Sequence, residues 1–258
     1  MTDQPSVDAT RLNDERYLEQ LDADAEALLA AATDLEARVP GCPDWTVRDL
    51  LSHVIGVYRH KVVAIDAGAA PPRPESGDWG DLAEGEDPRE VLRGVYAELR
   101  ERLVARDPLT ATWTWWPPEQ TLGFWVRRMA QETAVHRWDA QTAVDGVDGA
   151  EPIPDDLAAD GVDELLGWLT WGWEDEPQDE ATGQTVLVST ADHAWTITLN
   201  RTEVTVSGGG TDGDAFAAGE PFGLLLHVWG RPGDHGVATL GDTTALRLLR
   251  ERLGSATS

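Results

Sequence analysis

Glu132 and His136 stand four residues apart in "QETAVHRWDA", and His53 lies upstream in "LLSHVIGVYRH". Two neutral imidazoles and one carboxylate make a donor set for a divalent ion such as Zn, Fe, Ni or Mn, with coordination positions left open for water or substrate. One helical turn brings the Cβ atoms of Glu132 and His136 to about 6 Å, a gap that an ion can bridge. The same spacing admits a plainer reading, in which Glu132 pairs with Arg128 four residues earlier and His136 gives a proton to Asp139 three residues later. In the metal reading Asp139 keeps that contact and orients a liganding imidazole. His53 taken alone is equally an interface histidine, and His60, His193, His227 and His235 show no partner spacing.

These residues need helices to position them. At 100° per residue, a helix over about 121–144 gathers Leu122, Trp125, Val126, Met129, Thr133, Ala140 and Val144 on one arc, with His136 inside it and Glu132 at its edge. A helix from Thr46 to about Ala67 turns Val47, Leu50, Leu51, Val54, Val57, Tyr58 and Ile65 inward, with His53 at the border, and "TVRD" reads as its capping box. Burying an ionised carboxylate without compensation costs several kcal/mol, so an inward Glu132 demands a partner.

Two further amphipathic stretches, about 12–39 and 89–105, complete a helical bundle. The Pro-, Gly- and acid-rich stretch "AGAAPPRPESGDWGDLAEGEDP" reads as a long surface loop. After "DGVDGAEPIP" the pattern changes. A helix from Asp155 to about Trp173 precedes "QTVLVST", "AWTITLN" and "EVTVS", which alternate as half-buried antiparallel strands do. A short helix in "PFGLLLHVWG", a strand in "GVATLG" and a terminal helix capped by Asp242 follow. The expectation is an α+β protein of two domains, residues 1–150 forming the metal-binding helical bundle and 151–258 a small α+β domain with antiparallel strands.

Composition narrows the partners. With 47 acids against 20 bases, a net charge of −27 disfavours nucleic acid and anionic membranes, whose binding rests on Lys and Arg. No long uncharged apolar run appears, and "MTDQPSVDATRLNDERYLEQ" lacks the basic start and apolar core of a signal peptide, so a cytoplasmic location is expected. The single cysteine, Cys42, excludes an intrachain disulfide and a Cys-rich zinc module. It reads as a small buried hydrophobe, with a ligand or nucleophile role as the alternative.

The stretch "RVPGCPDWTVRDLLSHVIGVYRH" followed by "QETAVHRWDA" resembles the mycothiol-dependent maleylpyruvate isomerase family, and "PFGLLLHVWGRPG" followed by "VATLGD" is similar to that family's smaller α+β domain. The resemblance implies a DinB-like four-helix bundle with His53, Glu132 and His136 as metal ligands, zinc as the metal and mycothiol as thiol cosubstrate. It also matches Arg231 in "WGRPG" to an arginine implicated in activity, where a guanidinium would hold a substrate carboxylate bidentately; a turn-side surface arginine is the other reading.

The expected function is a metal-dependent enzyme acting on a small electrophile through a metal-bound thiolate, as a maleylpyruvate-type cis-trans isomerase or an S-transferase. The alternatives are a noncatalytic metal- or ligand-binding module and a thiol-independent metal hydrolase. Trp113, Trp115 and Trp116, just ahead of the Glu132 helix, read either as a pocket wall for an apolar substrate or as a cap on the bundle.

Overall fold

In a computed structural model, which describes residues 10–75 and 77–257, the chain divides into two compact units: Asn13–Pro152, and residues from Ile153 onward with residues 10–12. The stretch read for a targeting signal falls, up to residue 9, outside the described residues. No helix among the described residues is long and apolar enough to cross a membrane.

The first unit holds four helices. Asn13 caps α1 (Asp14–Ala31) through its side chain and the Arg16 N–H. This helix is shorter than its apolar spacing suggests. Beyond Ala31 the Asp34 carboxylate takes the Glu36 N–H at 3.0 Å, and Val39 donates to the Trp45 carbonyl at 3.0 Å, so local turns claim the backbone groups that a longer helix would use. Thr46 and Asp49 form the expected capping box of α2 (Val47–Ala67): Asp49 accepts the Thr46 N–H at 2.8 Å, and the Thr46 hydroxyl accepts the Asp49 N–H at 3.3 Å. Gly68, with φ of 61°, ends it in the left-handed conformation that glycine adopts without strain. Asp87 caps α3 (Pro88–Val104), and Thr121 caps α4 (Leu122–Asp145).

Helix α1 packs along α4 and α2 along α3, around Tyr17, Leu21, Leu28, Leu51, Ile55, Leu99, Trp125 and Met129. Helix α4 departs from a one-sided amphipath. Every residue from Leu122 to Ala140 except Glu132 is buried, including Arg127, Arg128 and Arg137. Arg137 is tolerated there because its Nε donates to Asp24 of α1 at 2.9 Å and its Nη1 donates to the Gln141 side chain and the Glu151 carbonyl.

In the second unit α5 (Asp155–Trp168) precedes β1 (Thr182–Ser189), β2 (Ala194–Asn200), β3 (Val204–Gly208), β4 (Ala215–Ala218), α6 (Pro221–Val228), β5 (Ala238–Gly241) and α7 (Thr243–Ala256). Asp242 caps α7 as expected. The sheet runs β3-β2-β1-β4-β5. Its pairs are antiparallel except β1 with β4, where Val186 lies opposite Ala215 in a parallel register. The sheet is thus mixed where the alternation pattern implies antiparallel strands. Strand β4, four residues in "AFAA", is too short to announce itself by period, and it reaches β1 only after the chain has passed through β2 and β3.

Candidate metal centre

Helix α2 brings His53, and α4 brings Glu132 and His136, to one point. The candidate ligand atoms all lie within 4.8 Å of one another. His53 Nε2 is 3.1 Å and His136 Nε2 3.3 Å from the same carboxylate oxygen, Glu132 Oε1. With metal–ligand bonds of about 2.1 Å, the ligands of a tetrahedral site stand about 3.4 Å apart, so these residues fit a divalent ion with little movement. The imidazoles meet edge to face with centroids 4.9 Å apart.

The remaining atoms of the cluster are already oriented. His136 Nδ1 lies 3.0 Å from Asp139 Oδ2, which places a proton on Nδ1 and turns Nε2 toward Glu132, where its lone pair becomes available once a cation replaces the proton held there. Arg128 donates to Glu132 Oε2 at 2.6 Å, engaging that oxygen and leaving Oε1 to the histidines. Both partners proposed by the plainer sequence reading are therefore present, and they serve the same cluster. The Trp45 ring packs on His53 at 4.9 Å and near His136 at 6.3 Å.

The electrostatics follow from burial and neighbours. Burial opposes ionisation of Glu132, but the charge and hydrogen bond of His136, the bond to His53 and the Arg128 charge outweigh it and hold the carboxyl well below its ordinary value. Burial likewise opposes a charged His136, yet the Glu132 carboxylate and the bond to Asp139 raise it to about 8. The metal-free cluster thus holds a proton where a cation would sit.

His53 is the open edge, its side chain 36% exposed against 12% for Glu132 and 9% for His136. It lines a cleft of about 730 Å³ whose floor is one stripe of α2, Ser52, His53, Gly56, Val57, His60 and Lys61, and whose opposite wall is the loop from Asp78 to Glu86. The loop sits directly on the helix. A Cβ on Gly56 would come within 2.8 Å of the Gly80 nitrogen, and the Arg59 guanidinium holds the loop through the Trp79 and Asp81 carbonyls at 3.0 and 2.8 Å.

This wall and Lys61 are not apparent from the sequence. The tryptophans lining the cleft are Trp45 and Trp79. Trp113 instead accepts the Trp125 indole N–H through its carbonyl at 2.9 Å, and Trp115 stacks edgewise on Phe124 at 5.3 Å, so the "TWTWW" segment covers the start of α4. Cys42 is half-buried in the turn before α2, where its carbonyl accepts the Trp45 N–H at 2.8 Å, and it is not one of the clustered ligands. Arg231 belongs to the second unit, in the turn after α6; its guanidinium donates to the Trp229 carbonyl at 3.2 Å and lies 5.8 Å from the Trp229 ring centre.

Comparison with known proteins is consistent with this geometry. The family model described as the mycothiol maleylpyruvate isomerase N-terminal domain matches residues 18–141, which include all three clustered residues. Among solved structures, the mycothiol-dependent maleylpyruvate isomerase is similar at a TM-score of 0.58 and 15% identity, covering 90% of this chain and 95% of that one. A histidine-to-alanine mutant of a mycothiol-dependent maleylpyruvate isomerase gives 0.57 and 14% over the same shares. No curated protein matches by sequence. Residues 18–141 thus match the family model of the mycothiol maleylpyruvate isomerase N-terminal domain, and they do so within a chain that shares the two-domain α+β fold of the solved isomerases.

Proposed function

We propose that this protein is a metal-dependent enzyme that uses a low-molecular-weight thiol, mycothiol, to isomerise a small electrophile of the maleylpyruvate type. The observation that carries the reading is the convergence of His53, Glu132 and His136 at the edge of an open cleft. Zinc suits this nitrogen and oxygen donor set, and a divalent ion bound there lowers the pKa of a thiol so that it reacts as thiolate.

The protein's own groups prepare that chemistry. Asp139 keeps the proton on Nδ1 of His136, so Nε2 is available as a ligand. Arg128 engages one oxygen of Glu132 and leaves the other facing both imidazoles. Trp45 packs against His53 and lies near His136, which limits the freedom of both rings. Arg231 is assigned to a substrate carboxylate, which a guanidinium can grip with two parallel hydrogen bonds. In isomerisation the thiolate sulfur would add to the double bond and push its electron pair onto the adjoining activated carbon, the resulting single bond would rotate, and that pair would re-form the double bond as the thiolate leaves; in S-transfer the pair would take up a proton from water and the sulfur would stay attached.

The test is metal content by mass spectrometry on tag-free wild type and His136→Ala, followed by the cobalt spectrum with and without mycothiol. Near one ion per chain, absent from the variant, and a thiol-dependent change in the ligand field are expected. Proteins that remain equally metal-free after reconstitution would overturn the reading, and turnover without thiol would favour a hydrolase. Thiol recovered after turnover indicates isomerisation, thiol consumed indicates transfer. Arg231→Ala is expected to lower activity with metal content intact; full activity removes it from the site.

A further inference from the structure

We propose that Lys61 recognises a substrate carboxylate in the cleft and so determines specificity for the reaction; the reaction itself rests on the reading above, whereas the binding step does not. Lys61 is the only lysine in the chain. It stands eight residues beyond His53 on the same stripe of α2, a rise of about 12 Å along the helix axis, so a ligand lying along the floor meets the metal ligands at one end and the ammonium at the other.

The surroundings of Lys61 do not neutralise it. Its Nζ lies 3.1 Å from His60 Nδ1 and 4.9 Å from the Trp125 ring centre, and no carboxylate of the described residues forms an ion pair with it. Burial, together with the charge of Lys61, pulls His60 down to about 4, so it is neutral and offers a lone pair to the ammonium rather than a charge. With Nδ1 accepting, the ring proton sits on Nε2, a second donor at this end of the cleft. Burial pulls the Lys61 amine itself down to about 8; the Glu132 carboxylate resists the shift and the Arg128 charge adds to it. In a chain with 47 acids, a half-buried ammonium left without an ion-pair partner is a costly arrangement that an incoming carboxylate would relieve.

Three of the four acids that line the cleft are engaged elsewhere: Asp49 accepts the Thr46 N–H, Asp78 the Gly80 N–H at 2.7 Å and Glu86 the Ala83 N–H at 2.8 Å, so they fix backbone, while the fourth, Asp81, is exposed and forms no ion pair with Lys61.

A sole lysine allows a direct readout. The metal-loaded protein is acetylated at Lys61 with an activated ester, and the rate is followed by peptide mass spectrometry with succinate or with uncharged succinamide at constant ionic strength. Succinate is expected to slow acetylation at least several-fold and succinamide to leave it unchanged. Equal rates with both, or equal protection by both, would overturn the proposal. In the thiol-dependent assay Lys61→Met is expected to weaken inhibition by succinate at least tenfold with metal content unchanged, and Lys61→Arg to restore it; unchanged inhibition in Lys61→Met also overturns the proposal. Absence of a thiol effect on the cobalt spectrum would count against the reaction alone, because protection from acetylation needs no thiol.

Discussion

Asp139 Oδ2 lies 3.0 Å from Nδ1 of His136, and Asp139 is itself fully buried. A carboxylate so placed fixes the imidazole tautomer and strengthens Nε2 as a donor. Asp139→Asn is therefore expected to weaken metal binding by about 10–100-fold while leaving the fold intact. Competition with a chromophoric chelator measures it, and unaltered affinity would reduce Asp139 to a packing role.

Arg128 and Glu132 form a buried pair at 2.6 Å. Replacing Arg128 with Met removes one compensating charge from a carboxylate only 12% exposed, at a cost of up to about 3–5 kcal/mol in the metal-free protein. A bound divalent ion supplies charge to the same carboxylate, so the loss should be smaller when metal is present. Urea unfolding with chelator and with excess zinc compares the two; equal losses would mean that Glu132 does not face the ion.

Lys61 carries a pH signature. Its folded-state value of about 8 is below the ordinary 10.5, so between these values the unfolded chain binds more protons than the folded one and stability rises with pH. Below pH 8 the burial cost is fully present. Lys61→Met should stabilise the ligand-free protein at pH 7 by on the order of 1–3 kcal/mol and abolish that part of the rise. A difference between wild type and variant that is flat across pH 7–10 would show that the amine is not held in this environment.

The loop wall depends on two glycines. Adding a methyl group at Gly56 gains about 1 kcal/mol of helix propensity, but it presses on the Gly80 backbone at 2.8 Å, an overpacking that costs about 1–3 kcal/mol. Gly56→Ala should lift the loop, speed acetylation of Lys61 and weaken succinate protection with metal content unchanged. Unaltered acetylation would mean that the loop does not screen this end of the cleft.

Much of the candidate metal centre is legible in the linear chain. The four-residue spacing of Glu132 and His136, the apolar arc around them and the Thr46–Asp49 capping box each depend on neighbours a few positions away, and local periodicity records such relations. The arginines of α4 show where that ends. Arg128 pairs with Glu132 one turn away, a relation the spacing shows, whereas Arg137 is buried by partners that no spacing shows, Asp24 on another helix and a carbonyl beyond the end of α4. The parallel β1–β4 pair is invisible for the same reason, since short strands far apart in sequence leave no periodic trace of their pairing.

By itself, then, the sequence determined the helices, the sign of the surface charge and the three residues able to hold an ion, because propensity, capping and donor chemistry are properties of residue types at fixed spacing. Tertiary structure alone decided that His53 meets Glu132 from a helix 79 residues away, that Gly80 rests on Gly56, and that Lys61 lies in the cleft with no ion-pair partner among the described residues. Those are distances across the fold, set by how whole helices and a loop pack, and no spacing along the chain encodes them.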